Sequence, residues 1–583
     1  MQSGRAAMSL LPNFLALNRN KIVHEYNGAR LNQINQRIIV IISRLDRCED
    51  VELRWRGFEH VAELQIAGQE DGIFDQLPCT LELKIRGISI RGLLVRHYYD
   101  LTASSFQFYY KEPLPVTFVV PLDAYLSHIV DEDWLRLRLS AIETIETLSA
   151  SGVSLSCQRW FQKTTKVTKN RPCSLEEAVD ELFSLQNDTL LLQGPPGSGK
   201  SSALLAGVSK CCQRGDRVVI IAQNNCVLKN YETKLIEQFP GMNFMRFKSS
   251  SLRYINDDIL ERFGLKFCPN LIKTYQSLIN DLKRVEKAQE WDNLRFQVEK
   301  LKYKIFVRVI SRTKLFLCTP HQFAKFFERR AFPIDTVVID EASCVKIENI
   351  WPIVSFQSIR QVWVAGDCHQ LAPFSEKYSS EVSLLDILSA TGIQSIYLKQ
   401  VYRSDRRIFE WSQKYFYPYA SARVLQPLIL PKSGKQVDEV VLIQCPPNCY
   451  EDKIGQSFIN IGEAECVLEY SKQFDKNNVI LVVPYTAQIK QFKMRSQNSL
   501  RLVTADTIQG GESDIVLVSL VRRGQNIGFL KNPKRLNVIM TRAKRHVALF
   551  GDFVAYARDP VWRSFIDIYR NSLVNWNDIK TSF

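Results

Sequence analysis

The chain has 583 residues, of which 45% are hydrophobic and 23% are charged. At about 150 residues per domain, this length predicts about four domains and excludes a single small module. The composition is that of a globular protein, which excludes wholesale disorder. Lysine and arginine together number 76 and aspartate and glutamate 61, and the resulting net charge of +15 favours a polyanionic partner, either nucleic acid or an anionic membrane surface.

The apolar runs are too short for a membrane helix. The longest, such as Val218 to Ala222, have the length of a strand, whereas a transmembrane helix needs about 18 consecutive apolar residues. The residues before Glu25 include Arg5 and Arg19 and no acidic side chain, a pattern shared by a mitochondrial presequence and a frayed basic terminus. We expect the frayed terminus, and with it a cytoplasmic or nuclear protein, with a mitochondrial location as the alternative.

The cysteines do not predict a zinc module. The 14 cysteines are scattered, and the closest pairs, Cys211 with Cys212 and Cys445 with Cys449, have no second pair at ligand spacing. Structural zinc sites favour such matched pairs. We therefore expect reduced, mostly buried thiols.

The N-terminal part of the chain changes its hydrophobic period twice. Residues 32–48 place apolar side chains on one face of a helix, and residues 132–150 do the same. Between them, residues 50–120 alternate apolar and polar side chains in short runs, as in a small antiparallel barrel or sheet. We predict an N-terminal extension over 1–30 and a small barrel on stalk helices over 31–150.

Strands and helices alternate from residue 176 onward, which predicts parallel α/β sheets. A basic connector over 151–175 precedes them and is either a solvated linker or a phosphate contact. We predict one α/β domain over 176–392, with a charged helical insertion at about 233–312, and a second over 393–575. The candidate strands are Thr189–Gln193, Val218–Ala222, Leu315–Cys318, Thr336–Asp340, Val362–Ala365, Val479–Val483, Leu502–Ala505, Ile515–Ser519 and Val547–Gly551.

A phosphate-binding loop follows the first of these strands. It fits the pattern G-x-x-x-x-G-K-[ST] and lies between a strand and a helical run, the context that the motif requires. Backbone N–H groups and the helix N-terminus then face the phosphates of a nucleotide. We predict that Lys200 pairs with the β- and γ-phosphates and that Ser201 binds Mg²⁺. The residues of the loop are Gly194, Pro195, Pro196, Gly197, Ser198, Gly199, Lys200 and Ser201.

Two adjacent carboxylates end the strand Thr336–Asp340. Asp340 is predicted to hold Mg²⁺, and Glu341 to orient or deprotonate the attacking water. A solvated acidic turn is the alternative, and the neighbouring phosphate-binding loop disfavours it. Together these residues predict hydrolysis of a nucleoside triphosphate as well as its binding.

Further motifs follow in a fixed order. They are Asp340-Glu341-Ala342-Ser343, Gly366-Asp-Cys-His-Gln-Leu-Ala-Pro373, Tyr402-Arg403 and Arg535-Leu-Asn-Val-Ile-Met-Thr-Arg542. Over about residues 176–555 the chain resembles superfamily 1 helicases of the Upf-like group. The resemblance implies an α/β fold with two RecA-like parallel-sheet domains of the P-loop NTPase type, ATP between them, a small β-barrel accessory domain and a helical insertion. The zinc module that one member carries is absent here.

The resemblance also implies roles for residues outside the phosphate-binding loop. Asp367 and Gln370 would sense the γ-phosphate and couple it to domain closure. Tyr402 would stack on adenine and Arg403 would reach the phosphates from the second domain. Arg542 would act as an arginine finger on the transition state.

Other roles concern the ribose and the nucleic acid. Glu512 would bond the ribose, and Arg535 would also face the nucleotide. The positions at which the family touches the nucleic-acid backbone correspond to Asn225, Thr319, Pro484, Thr486, Thr504 and Thr507. For the segments that contain the first four of these positions, the alternative role is the cap of a β–α turn.

The chain departs from the family pattern at three positions. Leu175 stands where the family has a glutamine that reads adenine, and Val401 replaces the glutamine before Tyr-Arg. Ser201 replaces the commoner threonine and keeps the hydroxyl. Adenine selectivity is therefore open, although no catalytic charge is lost.

The function that these motifs favour is an ATP-dependent helicase or translocase. The resemblance implies 5′-to-3′ movement on single-stranded nucleic acid, with RNA favoured over DNA, by a monomeric motor that unwinds duplexes or remodels RNA–protein complexes. RNA-processing or surveillance proteins are the expected partners, and no membrane is expected. The alternatives are a DNA helicase of repair or replication and an ATP-gated RNA clamp or scaffold in a silencing or surveillance complex. A small-molecule kinase is disfavoured because it leaves the second α/β domain unexplained.

Overall fold

The structure is a computed structural model. Its described residues belong to two compact units, one drawn from 153–249 and 313–583 and the other from 8–152 and 250–312. The described residues are 37–47, 60–67, 79–85, 88–96, 105–110, 122–127, 138, 140–142, 145, 157, 160, 171–185, 188–247, 265–285, 288–327, 332–373, 382–430, 434–455, 457–496, 500–504, 511–524 and 526–580.

Six antiparallel strands close a barrel in the second of these units. Their order around the barrel is β1-β2-β5-β4-β3-β6, and β1 pairs with both β2 and β6. The predicted barrel is thus present, whereas its equivalence to the accessory domain of the family stays a prediction. The strands are β1 (Arg37–Arg47), β2 (His60–Ala67), β3 (Cys79–Ile85), β4 (Ile88–Arg96), β5 (Ser105–Tyr110) and β6 (Leu122–Ser127).

The helix that we expected over 32–48 is wrong. This segment contains β1, and the run Ile38 to Ile42 consists of β-branched residues, which favour strands. Apolar residues in such a short run satisfy both periods, so that pairing with β2 and β6 decides between them. The predicted helix at 132–150 is described only at 138, 140–142 and 145, which are helical.

Two long helices form the described part of the insertion. They are Pro269–Arg284 and Ala288–Arg312, they pack against each other, and the short helix Leu265–Phe267 precedes them. The insertion begins later than the expected residue 233. The helix Asn225–Gln238 packs on the first α/β sheet, and the second unit resumes at 250.

The first α/β domain is built on eight parallel strands. Their order is β10-β11-β9-β12-β13-β8-β14-β7. Strand β9 is Val-Val-Ile-Ile-Ala and is wholly buried, as expected for a sheet covered on both faces. The strands are β7 (Arg171–Cys173), β8 (Asp188–Gln193), β9 (Val218–Ala222), β10 (Phe244–Arg246), β11 (Leu315–Cys318), β12 (Thr336–Asp340), β13 (Gln361–Gly366) and β14 (Ser395–Leu398).

The edges of this domain differ from the expected boundaries. β7 lies in the expected linker, where Arg171 forms ion pairs with Glu177 and Glu181, and β14 lies beyond the expected boundary at 392. Both are short strands whose places depend on pairing with β8 and with each other. The helices of the domain are Leu175–Ser184, Lys200–Arg214, Asn225–Gln238, Pro320–Phe327, Trp351–Val354 and Leu384–Ala390.

The second α/β domain contains six parallel strands in the order β23-β22-β24-β25-β19-β26. Its helices are Arg406–Tyr415, Ile461–Ser471, Thr486–Ser496, Pro533–Met540, Phe553–Tyr556, Pro560–Ile568 and Trp576–Ile579. All nine candidate strands of the two α/β domains are present, three with the expected bounds and six with ends shifted by one to four residues. The strands after β14 are β15 (Gln400–Val401), β16 (Ser421–Ala422), β17 (Leu428–Ile429), β18 (Gln436–Val437), β19 (Val440–Gln444), β20 (Asp452–Ile454), β21 (Ser457–Ile459), β22 (Val479–Val482), β23 (Arg501–Val503), β24 (Ser513–Ser519), β25 (Ala543–Gly551) and β26 (Leu573–Asn575).

The cysteines whose side chains the structure describes are free thiols. Within the described ranges, no group of three or more His, Cys, Asp or Glu side chains is placed to hold a metal ion. Over the same ranges no helix has both the length and the apolar composition to cross a bilayer.

A buried carboxylate holds a strained turn after β24. Val521 adopts a φ of 70°, a left-handed conformation that is unfavourable for a β-branched residue. Glu463 is fully buried, and its Oε1 accepts hydrogen bonds from Ser519 Oγ at 2.6 Å and from the Val521 N–H at 2.8 Å. Burial raises the pKa of Glu463 to about 7, although these bonds and Arg523 oppose the shift.

This pKa predicts that stability falls as the pH rises. The pKa of Glu463 is higher in the folded chain than in the unfolded chain. Its contribution to the free energy of unfolding is therefore complete below pH 4.5 and is lost as the pH rises past about 7. Relative to Glu463→Gln, the wild type should lose about 3 kcal/mol of unfolding free energy across this window. Denaturant unfolding at a series of pH values measures the difference, with Glu465→Gln on the exposed side of the same helix as control. A difference that is constant with pH would refute the assignment.

Candidate nucleotide site

The phosphate-binding loop joins β8 to the helix Lys200–Arg214. Two of its glycines, Gly197 and Gly199, have φ values of +75° and +90°, which residues with a Cβ rarely adopt. Lys200 Nζ donates hydrogen bonds to the carbonyl oxygens of Gly194 at 2.7 Å and Pro195 at 3.0 Å. The lysine thus lies across the loop, where it is positioned to exchange these carbonyls for phosphate oxygens.

The Tyr402-Arg403 segment lies directly on this loop. The Tyr402 N–H donates to Gly197 O at 2.8 Å. A Cβ built on Gly197 would lie 2.3 Å from the Cβ of Arg403, so that only glycine permits this approach. The segment that resembles the Tyr-Arg motif is thereby fixed against the phosphate-binding loop.

Ser201 and Asp340 face each other at the carboxyl ends of the strands. Ser201 Oγ donates to Asp340 Oδ2 at 3.1 Å, and the Glu341 N–H donates to Asp340 Oδ1 at 2.9 Å. A hydroxyl and a carboxylate are hard oxygen donors of the kind that Mg²⁺ uses beside nucleotide phosphates. The donor set therefore fits Mg²⁺, as predicted for these two residues.

Glu341 is held in an uncommon backbone conformation. Its φ is 54°, and its side-chain Oε2 is buried with no hydrogen-bond partner in the described part of the chain. Burial raises the pKa of this carboxyl, and the charge of Asp340 adds to the effect. A buried, unpartnered carboxylate oxygen in a nucleotide cleft suits a general base for water.

The loop after β13 connects to the second domain through Arg542. Gln370 Nε2 donates to Asp367 Oδ2 at 3.0 Å, and Arg542 Nη2 donates to Gln370 Oε1 at 3.1 Å. Burial lowers the pKa of Arg542 to about 10, and the charge of Arg403 acts in the same direction. The arginine therefore stays charged at neutral pH and contacts the residue predicted to sense the γ-phosphate.

Two further residues of the second domain reach the same loop, and sequence reasoning assigned no role to either of them. Tyr417 donates from its hydroxyl to Asp367 Oδ2 at 2.7 Å. Asn537 Nδ2 donates to the Tyr417 hydroxyl at 2.7 Å and to His369 O at 3.0 Å. All these groups except His369 are fully buried, so that this loop is tied to the second domain independently of Arg542.

Glu512 bridges two cations at the edge of the cleft. It accepts from Arg403 Nε at 2.5 Å and forms an ion pair with Lys544 Nζ at 3.2 Å. Burial opposes ionisation, but these two charges hold the pKa of Glu512 below its ordinary value. The carboxylate is therefore available as an acceptor, as predicted for a contact to the ribose.

These side chains line one cleft of about 850 Å³. The predicted residues that line it are Pro196, Gly197, Ser198, Gly199, Lys200, Ser201, Asp340, Glu341, Gln370, Tyr402, Arg403, Glu512 and Arg542. Gly194 and Pro195 do not line it and instead accept from Lys200. The residues that sequence reasoning did not place there are Ser202, Lys234, Arg423, Leu425, Gln426, Asp514, Lys544 and Arg545.

The end of the cleft near Tyr402 is apolar on one side. A Cβ on Gly199 would lie 2.9 Å from Leu175 Cδ1 and 3.9 Å from the Tyr402 ring. The guanidinium of Arg423 lies 5.6 Å from the centre of that ring. Leu175, at the first position of its helix, therefore presents a methyl group where the family has an amide.

The expectation that Arg535 faces the nucleotide is wrong. Arg535 packs on the ring of Phe529 at 4.6 Å and does not line the cleft. It lies near the start of the helix Pro533–Met540, whereas Arg542 follows the end of that helix. The two residues are therefore seven positions apart, at opposite ends of this helix.

The predicted nucleic-acid contacts lie at the carboxyl ends of strands. Asn225 follows β9 and Thr319 follows β11, the neighbouring strand. Thr319 Oγ1 accepts from the Gln322 N–H at 3.3 Å, so that it caps a helix, the alternative role considered above. Pro484, Thr486 and Thr504 follow β22 and β23, which pair with each other, and Thr507 lies outside the described residues.

Comparison with known proteins finds families and relatives that match this chain. Two family models, each described as an AAA domain, match residues 272–376 and 380–553. A DNA polymerase alpha-associated DNA helicase A of Schizosaccharomyces pombe is 25% identical over 437 residues, which are 68% of this chain and 64% of that protein. A Regulator of nonsense transcripts 1 homolog of Arabidopsis thaliana is 24% identical over 422 residues, 66% of this chain and 33% of that protein.

A solved structure of Arterivirus nonstructural protein 10 (helicase) covers 87% of this chain and 79% of its own at 13% identity, with a TM-score of 0.39. The chain spans less than two thirds of the two curated relatives. The matched families and relatives confirm the resemblance on which the sequence analysis relied.

Proposed function

We propose, from the confirmed likeness of this chain to superfamily 1 helicases of the Upf-like group, that it is an ATP-dependent helicase or translocase. It acts on single-stranded nucleic acid, moves 5′ to 3′ and prefers RNA. The observation that carries the proposal is the composite cleft, in which Arg403 and Arg542 join Lys200 and Glu341. Such a cleft couples hydrolysis to movement of one domain against the other.

The residues act on the nucleotide in defined ways. Lys200 leaves the carbonyls of its loop for the phosphates, and Glu341 accepts the proton of the attacking water. Arg403 and Arg542 neutralise charge that develops in the transition state. Ser201 and Asp340 would hold Mg²⁺, which supplies charge neutralisation on the phosphate oxygens when bound.

Strand preference is tested by measuring ATP hydrolysis with single-stranded RNA and single-stranded DNA of the same sequence. We expect RNA to stimulate turnover more. Stimulation by DNA alone would contradict the preference for RNA and support the alternative, a DNA helicase of repair or replication. Of the two relatives described above, one is named a DNA helicase and the other a regulator of nonsense transcripts.

Motor activity is tested on a duplex with a 5′ single-stranded tail. We expect ATP-dependent strand release that disappears in Lys200→Ala, because Lys200 is the cation that the phosphate-binding loop contributes to the cleft. Tight binding and turnover without release would instead support the ATP-gated clamp or scaffold. A 3′-tailed duplex provides the control for direction.

Nucleotide selectivity is expected to be weak. Leu175 supplies no hydrogen bond to a base edge, so replacing ATP by GTP should change kcat/KM by less than about tenfold. Leu175→Gln should restore a pair of hydrogen bonds to adenine, worth about 1–3 kcal/mol, and raise the preference for ATP accordingly. Leu175→Met, which conserves volume without adding an amide, is the control. Strong discrimination by the wild type would show that other residues read the base.

A further inference from the structure

A tyrosine of the first domain contacts the carboxylate of Asp340. Tyr231 lies on the helix Asn225–Gln238, is 1% exposed, and donates its hydroxyl hydrogen bond to Asp340 Oδ2 at 2.6 Å. The same oxygen accepts from Ser201 Oγ at 3.1 Å. None of the motifs in the sequence includes Tyr231.

Both oxygens of the carboxylate are therefore restrained. Oδ2 faces Tyr231 and Ser201, while Oδ1 accepts from the Glu341 N–H at 2.9 Å. A short hydrogen bond from a hydroxyl to a carboxylate is among the strong ones. Rotation of the carboxylate about its terminal bond would break bonds on both sides, so that its orientation is fixed before a cation arrives.

The rest of the tyrosine belongs to the hydrophobic core. Its neighbours on the helix, Val227, Leu228 and Leu235, are buried in the cluster that covers the first sheet. A phenylalanine ring would fill the same space. The hydroxyl is thus the part of Tyr231 that the core does not require, and its partner is Asp340.

We propose that Tyr231 is a positioning residue for the divalent cation. Its hydroxyl holds Asp340 in the orientation in which this carboxylate and the Ser201 hydroxyl receive the ion together. Partners of metal-binding carboxylates typically account for about 10–100-fold in metal affinity or activity. The inference rests on the proposed nucleotide site but does not require that the protein unwinds a duplex.

The test separates binding of the nucleotide from binding of the cation. Binding of a fluorescent ATP analogue to the full chain is measured with EDTA and then over a range of free Mg²⁺ concentrations, without nucleic acid. For Tyr231→Phe we expect affinity in EDTA within about twofold of the wild type, with the half-maximal Mg²⁺ concentration raised about 10–100-fold. Direct titration with Mn²⁺, followed by electron paramagnetic resonance, should show the same loss.

The control is Tyr470→Phe, which removes another buried tyrosine hydroxyl. Tyr470 pairs with His546 in the second domain, so its removal should leave the Mg²⁺ dependence unchanged. An unaltered Mg²⁺ midpoint in Tyr231→Phe would overturn the proposal. Equal losses with and without the cation would do so too, because they indicate a general structural role. Failure of the wild type to unwind duplexes would contradict the helicase function alone.

Discussion

Replacing Arg542 with alanine is expected to slow ATP hydrolysis by about 10³-fold or more, the effect of removing an arginine finger. The guanidinium is buried, keeps its charge and contacts Gln370 in the cleft that contains Lys200 and Glu341. In the structure the N–H groups of Arg542 donate hydrogen bonds within the protein, to Gln370 Oε1 and Val538 O. The loss should therefore fall on kcat, while nucleotide affinity stays similar.

Steady-state phosphate release and equilibrium nucleotide binding measure the two quantities separately. Arg535→Ala is the matched control, because it removes the same charge from the same motif outside the cleft. We expect hydrolysis without nucleic acid to be nearly unchanged in this control. Normal turnover by Arg542→Ala would exclude its role as the finger, and equal losses in both variants would point to a structural effect. Arg542→Lys, which keeps a positive charge, tests whether the geometry of the guanidinium is needed.

Replacing Glu341 with glutamine is expected to lower the rate of hydrolysis by about 10²–10⁴-fold, the usual contribution of a general base. The amide has the shape of the carboxylate but cannot accept the proton of the attacking water. Because Glu341 donates to Asp340 only through its backbone N–H, the substitution leaves that hydrogen bond in place. Lys200 and Ser201 are unaltered as well, so the variant should still bind nucleotide.

A single-turnover experiment shows whether the chemical step itself is slowed. Nucleotide bound to Glu341→Gln should remain unhydrolysed for far longer than in the wild type. Glu341→Asp retains an acid at a greater distance and should fall between the two. A wild-type rate in the glutamine variant would assign proton transfer to another group and leave Glu341 a structural role.

The residues of the phosphate-binding loop and the two carboxylates follow directly from local sequence. A strand, a glycine-rich turn and a helix are continuous in the chain, and Asp340 and Glu341 end a buried strand. Parallel strands bring their carboxyl ends to one edge of the sheet. The pairing of Ile339 with Val364, and of Gly366 with Gln193, carries this arrangement from β12 through β13 to β8. The part of the cleft that the first domain's phosphate-binding loop and carboxylates form is therefore predictable from local sequence.

The second domain contributes residues that the pattern identified only in part. Arg535 and Arg542 are equivalent as members of one motif, yet one packs on Phe529 and the other enters the cleft. Tyr417 carries no sequence signal, since an aromatic residue after a helix is usually part of the core. Its hydroxyl reaches Asp367 because two domains meet at the loop after β13, which no property of either segment alone indicates.

Local sequence specifies which side chains form the phosphate-binding loop and which carboxylates follow a buried strand. That residues 37–47 form a strand, that Arg535 lies outside the cleft and that Tyr231 reaches Asp340 follows from the packing of the folded chain. The difference lies in the range of the interactions. Turn geometry and helix termini are set by neighbours in the chain, whereas strand pairing and buried hydroxyl contacts depend on partners that are distant in sequence and are fixed when the core packs.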